Sequence, residues 1–272
     1  MRARRLIAAA SVAALGVLSL AACETPAGDV AAYVGDTSYS LDRVKTIHDE
    51  AQTKYADQVR AAFQQQNGPS ASPAPEQLKL DLSKQDVLNL LVGLELAKRV
   101  VAEKKIQVQD QITEGQLGEG FGVPGTEYRK LAADWYDLFI ALQTALPAAE
   151  LTDEARTEVY DGLVKSGVAP AGWTVEQQRE RFADPAVARQ VAAVVALSAA
   201  FRDEVKRQDV EINPRYSTLE IPALFEVPGN SGDIRRYDLP YLELEPSVTD
   251  LPSQEPQPST SSVDPAAEGT AS

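Results

Sequence analysis

The chain has 272 residues with 26 basic and 40 acidic side chains, and its formal net charge is −14. Phosphate backbones repel so acidic a chain, so nucleic acid is not expected as a partner. With one histidine and one cysteine, the composition also excludes a metal centre built from several His or Cys ligands, and no cofactor is predicted. The histidine, His48, is expected to be a half-exposed structural residue of a helix.

The first 23 residues carry basic, apolar and small side chains in the order of a secretory signal. Three arginines precede an apolar run that ends at Leu20-Ala21-Ala22-Cys23. This ending resembles the signal of bacterial lipoproteins, in which the cysteine is acylated and cleavage occurs just before it. The resemblance implies a signal peptide over residues 1–22, lipidation of Cys23 and a lipidated tether over 23–29. The alternative is an ordinary signal peptide in which the cysteine has no such role.

Lipidation at Cys23 would determine where the protein works. Two or more acyl chains hold a protein stably at a membrane, so the chain is expected on the extracytoplasmic side of the cell membrane. Removal of residues 1–22 takes away three arginines and leaves 23 basic and 40 acidic residues, a net charge of −17. Because Cys23 is the only cysteine, no intramolecular disulfide can form.

After the tether, the pattern predicts a short β-hairpin followed by a long helix. Residues 30–40 are rich in β-type residues around Gly35-Asp36, which favours two short strands joined by a tight turn. Ser40 is expected to cap a helix over residues 41–66, because its side chain can accept a hydrogen bond from a free backbone N–H. Asn67-Gly68-Pro69 is expected to end that helix.

Further helices are predicted wherever a capping residue precedes an apolar stripe. Ser83 with Asp86 favours a helix whose apolar residues recur at three- and four-residue steps from Val87 to Val101. A short helix is expected over residues 110–117. Later helices are expected to begin after Thr126, Thr152, Thr174 and Asp184, and a strand is expected over residues 210–212.

The helical period disappears after Tyr216. Residues 217–242 are predicted to form an extended segment that docks on the helical body through apolar side chains. Residues 243–272 contain five prolines, six acidic residues and no basic residue. Such a composition cannot bury enough apolar surface to offset chain entropy, so a disordered tail is predicted there.

The order of these elements resembles the N-terminal chaperone domain of SurA-type extracytoplasmic foldases. That domain is also related to the PrsA lipoproteins and, more distantly, to the substrate-binding domain of trigger factor. Four segments carry the resemblance: the opening Val30–Asp36, the helix Leu88–Ile106, the Glu158-Val159-Tyr160 run after Thr152-Asp153-Glu154, and the strand Val210–Tyr216 with its Asn-Pro-Arg motif.

The resemblance covers about residues 29–216 and implies a mainly α fold. The implied domain, residues 30–216, is helical, with a small β-hairpin or sheet that closes its termini. Two departures from the family pattern occur: Gly35-Asp36 replaces the usual Asn-Gly, and Ser217 stands where glycine often follows the Asn-Pro-Arg motif.

The resemblance implies a lipid-anchored chaperone, not an enzyme, that binds unfolded or secreted polypeptides in an apolar helical groove. Aromatic side chains could line such a groove, although the alternative is that they simply form the core. The six aromatic residues in question are Tyr128, Trp135, Phe139, Trp173, Phe182 and Phe201.

The sequence disfavours two other functions and leaves one alternative open. Many relatives carry a parvulin prolyl isomerase domain, but only 56 residues follow Tyr216 here and the parvulin site typically uses a pair of histidines. Solute-binding lipoproteins alternate strands and helices in two lobes, which the helical pattern disfavours. A non-catalytic lipoprotein that binds one dedicated envelope protein remains the alternative.

Overall fold

A computed structural model of the chain describes residues 28–118, 121–226 and 234–242. The predicted signal peptide, the predicted lipidation site Cys23 and the predicted disordered tail over residues 243–272 lie outside the described residues. The described part is mainly helical, as predicted, and contains two small antiparallel sheets. Its elements are β1 (Val30–Val34), β2 (Thr37–Ser40), α1 (Leu41–Asn67), α2 (Lys84–Lys104), α3 (Glu127–Ala145), α4 (Asp153–Lys165), α5 (Val175–Arg181), α6 (Pro185–Gln208), β3 (Glu211–Ile212), β4 (Leu219–Glu226) and β5 (Ile234–Leu242).

The first sheet joins the two ends of the helical body. Its strand order is β2-β1-β3, and Ala32 pairs with Ile212 in the antiparallel β1–β3 ladder. Val34 and Ile212 are both buried. The expectation that the N-terminal hairpin pairs with the strand after the last long helix is therefore confirmed.

The Asn-Pro-Arg motif fixes the exit from β3. The backbone N–H of Asn213 donates to the carbonyl of Ala31 at 2.9 Å, and its side-chain amide donates to the carbonyl of Val30 at 2.8 Å. The Asn213 side-chain oxygen accepts a hydrogen bond from the backbone N–H of Arg215 at 3.1 Å. One buried side chain thus ties the turn after β3 to the start of β1.

The predicted caps explain why the helices begin where they do. A side-chain oxygen one residue before each of α1 to α6 accepts a hydrogen bond from a first-turn backbone N–H, and Asp184 accepts two. The capping residues are Ser40, Ser83, Thr126, Thr152, Thr174 and Asp184.

Helix α2 is the centre of the core, since it packs against α1, α3, α6, β1 and β4. Eleven of its 21 residues are buried, so its apolar surface is wider than one stripe. Gly93 allows Trp135 of α3 to pack closely, because a Cβ at Gly93 would lie 3.3 Å from the indole ring.

Within residues 217–242, predicted as an extended docked segment, the described strands β4 and β5 pair antiparallel, and we call this pair the β4–β5 hairpin. Leu219, Ile221, Leu239 and Tyr241 are buried, which agrees with docking through apolar side chains, and the strands pack on α2, α4 and α6. The indole N–H of Trp135 donates to the carbonyl of Pro222 at 3.1 Å and fixes β4 on the core.

The prediction of a short helix over residues 110–117 is wrong in its extent. Only a single 3₁₀ turn, Glu114–Gln116, is present. The backbone N–H groups of Gln111 and Ile112 instead donate to the buried carboxylate of Asp137, at 3.1 and 3.0 Å. Because these two amides are held by α3, the segment before the turn is not helical.

Among the described residues, no single helix is long and apolar enough to cross a membrane. Helices α5 and α6 meet those criteria of length and composition only when taken together, and they are bent by 111° where they meet.

Candidate functional site

The structure places five of the six predicted groove aromatics in the core. Tyr128, Trp135, Phe139, Phe182 and Phe201 are each at most 4% exposed. The Trp135 ring contacts those of Phe139 and Phe201, with ring centres 6.0 and 6.1 Å apart. No polypeptide can reach these rings in this conformation, so the core alternative describes them.

Trp173 is the sixth aromatic, and it lies half-buried in the loop before α5. Its ring stacks on that of Tyr160 with ring centres 5.0 Å apart, and the Arg181 guanidinium lies 5.5 Å from its centre. The hydroxyl of Tyr160 accepts from the backbone N–H of Trp173 and donates to the carbonyl of Pro170, so it holds this loop on α4. Trp173 therefore fixes the entry to α5.

A different surface has the shape of a binding site. A groove of about 690 Å³ lies between α4, the start of α5 and the β4–β5 hairpin. We call it the acidic groove, because Lys165 is the only basic residue among the described residues that line it. The six carboxylates in its walls belong to Asp153, Glu154, Glu158, Asp161, Glu220 and Asp238.

Two elements supply these carboxylates at the spacing of their own secondary structure. On α4, Glu154, Glu158 and Asp161 are separated by four and three residues, so they lie on one helix face. On the hairpin, Glu220 is paired with Pro240 and Asp238 with Pro222, so both acidic residues lie on one face, opposite the buried side chains of Ile221 and Leu239. The groove is formed where these two acidic faces meet.

Gly162 sets the distance between the two walls. A Cβ at this position of α4 would lie 2.7 Å from the backbone carbonyl oxygen of Asp238 and 3.5 Å from the Tyr237 ring. Non-bonded atoms do not approach so closely, so only glycine allows β5 to pack this near to α4. The hairpin thus closes against the helix at one point and leaves the groove beside it.

Arginines hold several of the carboxylates in place. The Arg179 side chain donates to Asp153 at 2.8 Å through Nε, and Arg156 donates to the same carboxylate at 3.0 Å. The hydrogen bond from Arg179, together with the charges of both arginines, holds the pKa of Asp153 below its usual value. This carboxylate therefore stays ionised well into the acidic range.

The hairpin wall is fixed in the same way. Arg202 of α6 forms an ion pair with Glu158 and donates to the carbonyl of Pro240 at 3.1 Å, so it links α6, α4 and β5. Lys165 forms an ion pair with Glu220 across the groove. The carboxylates of Glu154 and Asp161 stay exposed at the mouth.

The part of the chain that the structure describes offers no cluster of metal ligands. No group of three or more His, Cys, Asp or Glu side chains there is arranged to hold a metal ion. His48 lies on α1, partly buried, with Nδ1 2.9 Å from the Asp49 carboxylate. His48 is therefore on a different helix from the acidic groove.

Sequence patterns alone did not single out the acidic groove. The helical spacing of Glu154, Glu158 and Asp161 was visible, but an acidic helix face most often means only solvation. The second wall comes from residues about 60 positions later, which only the folded hairpin brings near. No family model, curated protein or solved structure matches this chain.

Proposed function

We propose that the chain is a lipid-anchored, non-catalytic polypeptide-binding protein of the chaperone type that acts outside the cytoplasm. The observation that carries this proposal is the acidic groove, an open cleft between a helix and a hairpin whose walls carry six carboxylates. The lipoprotein-like ending at Cys23 supports the location, since acylation there would anchor the body through a short tether.

The arrangement of elements supports a SurA-like origin. A hairpin at the start of the domain, a long helix after it and a final strand that returns to the hairpin occur in the order that the resemblance implies. The β4–β5 hairpin, which follows the resembling residues 29–216, supplies the second wall of the groove. On this proposal, the added hairpin changes where polypeptides bind.

Charge defines the class of polypeptide that fits the acidic groove. Its exposed carboxylates favour extended segments that carry lysine or arginine, and Val175, 37% exposed at its edge, offers a small apolar contact. Val175 and Val108 are the only exposed large apolar side chains among the described residues. Binding is therefore expected to be salt-dependent and nearer micromolar than nanomolar, because each exposed ion pair contributes little.

One observation favours the second function, a dedicated partner. Arginines 156, 179 and 202 hold Asp153 and Glu158 in fixed positions, and preset charges select one complementary surface more readily than many. Under this second function, the acidic groove would bind one partner protein through a basic segment and would not bind many different polypeptides. The fold and the groove would be the same under both functions.

Peptide arrays probed with the protein from Glu24 onward test both functions. We expect many lysine- or arginine-containing peptides to bind and acidic ones not to bind. The double substitution Glu154→Gln with Asp161→Asn should weaken binding about fivefold, since each exposed charge pair contributes up to about 1 kcal/mol. A matched double substitution, Glu76→Gln with Asp81→Asn, removes two exposed carboxylates outside the groove.

The set of peptides that bind, and the effect of the groove variant on them, distinguish the chaperone from the dedicated partner-binding protein. Selection of one sequence, with loss in the groove variant only, would favour the dedicated partner over the chaperone. Equal binding by the groove and control variants would show that the acidic groove is not the site. Suppression of aggregation of an unfolded secreted protein, measured with the same three proteins, tests the chaperone activity itself.

A further inference from the structure

Lys165 lies inside the acidic groove, unlike the arginines that hold the other carboxylates. The arginines paired with Asp153 and Glu158 do not line the groove. Lys165 does line it, and its Nζ donates to the Glu220 carboxylate on the hairpin wall. A lysine amine therefore already lies where the proposed function places a basic side chain of the bound polypeptide.

The Glu220 carboxylate is well enclosed. Its side chain is 12% exposed, compared with 28% for Glu158 and 35% for Asp153. A carboxylate with so little access to water has lost much of its hydration, and a nearby cation offsets that loss. Among the described residues, Lys165 is the only ion-pair partner of Glu220. Glu220 is therefore a strong attachment point for an amine or a guanidinium group.

Lys165 itself is held weakly. It is the last residue of α4, and its side chain is 65% exposed. An ion pair made by so exposed and flexible a side chain contributes little free energy. A second carboxylate is also within reach, because the exposed Asp161 lies four residues earlier on the same helix, at a spacing that favours an acidic residue before a lysine. Lys165 can therefore leave Glu220 and pair with Asp161.

We propose that Glu220 is the subsite for a lysine or arginine side chain of the bound polypeptide, and that Lys165 occupies this subsite in the free protein. The inference rests on the proposed function of the acidic groove. The arriving side chain replaces Lys165 at the Glu220 carboxylate, and Lys165 moves to Asp161. Because each ion pair formed with Glu220 replaces one made by Lys165, Lys165 lowers the affinity of the groove for basic segments.

Affinity for a basic peptide tests this competition. The probe is a decapeptide of alternating lysine and serine, with a neutral dye on its N-terminus and an amide at its C-terminus. Its fluorescence anisotropy is followed as the protein from Glu24 to Ser272 is added. Lys165→Met removes the amine and keeps an apolar stem, so it should bind the peptide about three- to fivefold more tightly, as expected when one exposed ion pair no longer competes.

Glu220→Gln tests whether Lys165 acts through Glu220. This variant should bind the peptide more weakly than the parent, because the subsite has lost its charge. In the Glu220→Gln protein, Lys165→Met should give no gain in affinity, since the two substitutions act on the same contact. A gain that persists in full there would overturn the proposal.

The matched control is Lys104→Met. Lys104 is also the last residue of its helix, is exposed and does not line the acidic groove. Its substitution changes the net charge by the same amount as Lys165→Met and should leave the affinity unchanged. Equal gains from the two substitutions would overturn the proposal, because net charge would then explain both.

Carbodiimide cross-linking of the parent protein tests the exchange without any substitution. The reagent joins a lysine amine to a neighbouring carboxylate as an amide, and the peptide has no carboxylate of its own. We expect a Lys165–Glu220 bond in the free protein. Saturating peptide should suppress that bond and give a bond between a peptide lysine and Glu220. An undiminished Lys165–Glu220 bond in the presence of bound peptide would overturn the proposal.

The double variant Glu154→Gln with Asp161→Asn separates this inference from the proposed function. If the peptide binds the parent and the double variant equally, the acidic groove is not the site and both fail. If the double variant binds more weakly but Lys165→Met gives no gain, the proposed function stands and only the exchange at Glu220 is overturned. Lys165 would then serve only to fasten the hairpin to α4.

Discussion

Gly162→Ala is the sharpest test of how the hairpin packs on α4. A methyl group at position 162 would lie 2.7 Å from the carbonyl oxygen of Asp238, about 0.5 Å or more inside ordinary contact. The obstacle is backbone, so β5 must move as a unit. In an exposed helix the same change would stabilise by up to about 1 kcal/mol, since alanine is the better helix former.

Steric overlap with Asp238 would destabilise the Gly162→Ala protein, whereas the higher helix propensity of alanine would stabilise it, so the sign of the measured change shows which effect is larger. Overpacking in a well-packed contact costs about 1–3 kcal/mol, so we expect Gly162→Ala to lower the free energy of unfolding by about 1–2 kcal/mol. Urea unfolding followed by circular dichroism measures it. Gly115→Ala is the control, because the nearest atom to a Cβ there is 3.9 Å away. A Gly162→Ala protein more stable than the parent would refute the packing of β5 against α4.

Three further predictions concern the anchor and the stability of the body. Cys23→Ala should abolish incorporation of a fatty-acid analogue, because no other cysteine exists, and undiminished label would contradict lipidation. The hydrogen bond from Arg179 lowers the pKa of Asp153 in the folded protein. The stability that this carboxylate contributes is therefore present above its unfolded-state pKa and is lost as the pH falls through its folded-state pKa. Asp153→Asn should accordingly make the free energy of unfolding fall less as the pH is lowered. Tyr241→Phe should be neutral or stabilise by about 1 kcal/mol in thermal unfolding, since the buried Tyr241 hydroxyl has no hydrogen-bond partner among the described residues; a loss above about 1 kcal/mol would contradict this.

The helices could be predicted because their signals are local. A capping side chain and an apolar stripe at three- and four-residue steps are both contained within one turn or one helix of sequence. For this reason the N-caps Ser40 and Asp184 were enough to predict that α1 begins at Leu41 and that α6 begins at Pro185. The helix expected at 110–117 failed because Asp137, more than twenty residues away, holds the backbone there.

The second hairpin could not be predicted because its strands contain prolines. Pro222 and Pro240 each remove a ladder N–H, which normally argues against a strand. Here both residues lie in a two-stranded sheet, and their carbonyls accept hydrogen bonds from the body: Trp135 donates to Pro222, and Arg202 donates to Pro240. The helices therefore supply part of the hydrogen bonding that holds the strands, and no pattern within residues 217–242 reveals it.

The β4–β5 hairpin links the stability of the body to the proposed binding site. Glu220 and Asp238 of the hairpin line the acidic groove together with residues of α4. Gly162 lies between the two walls, because a Cβ there would meet the backbone of Asp238. A change that moves β5, such as Gly162→Ala, should therefore weaken binding of lysine- and arginine-containing peptides as well as lower the free energy of unfolding. If Gly162→Ala lowered stability but bound the same peptides as the parent does, the hairpin would not form a wall of the binding site.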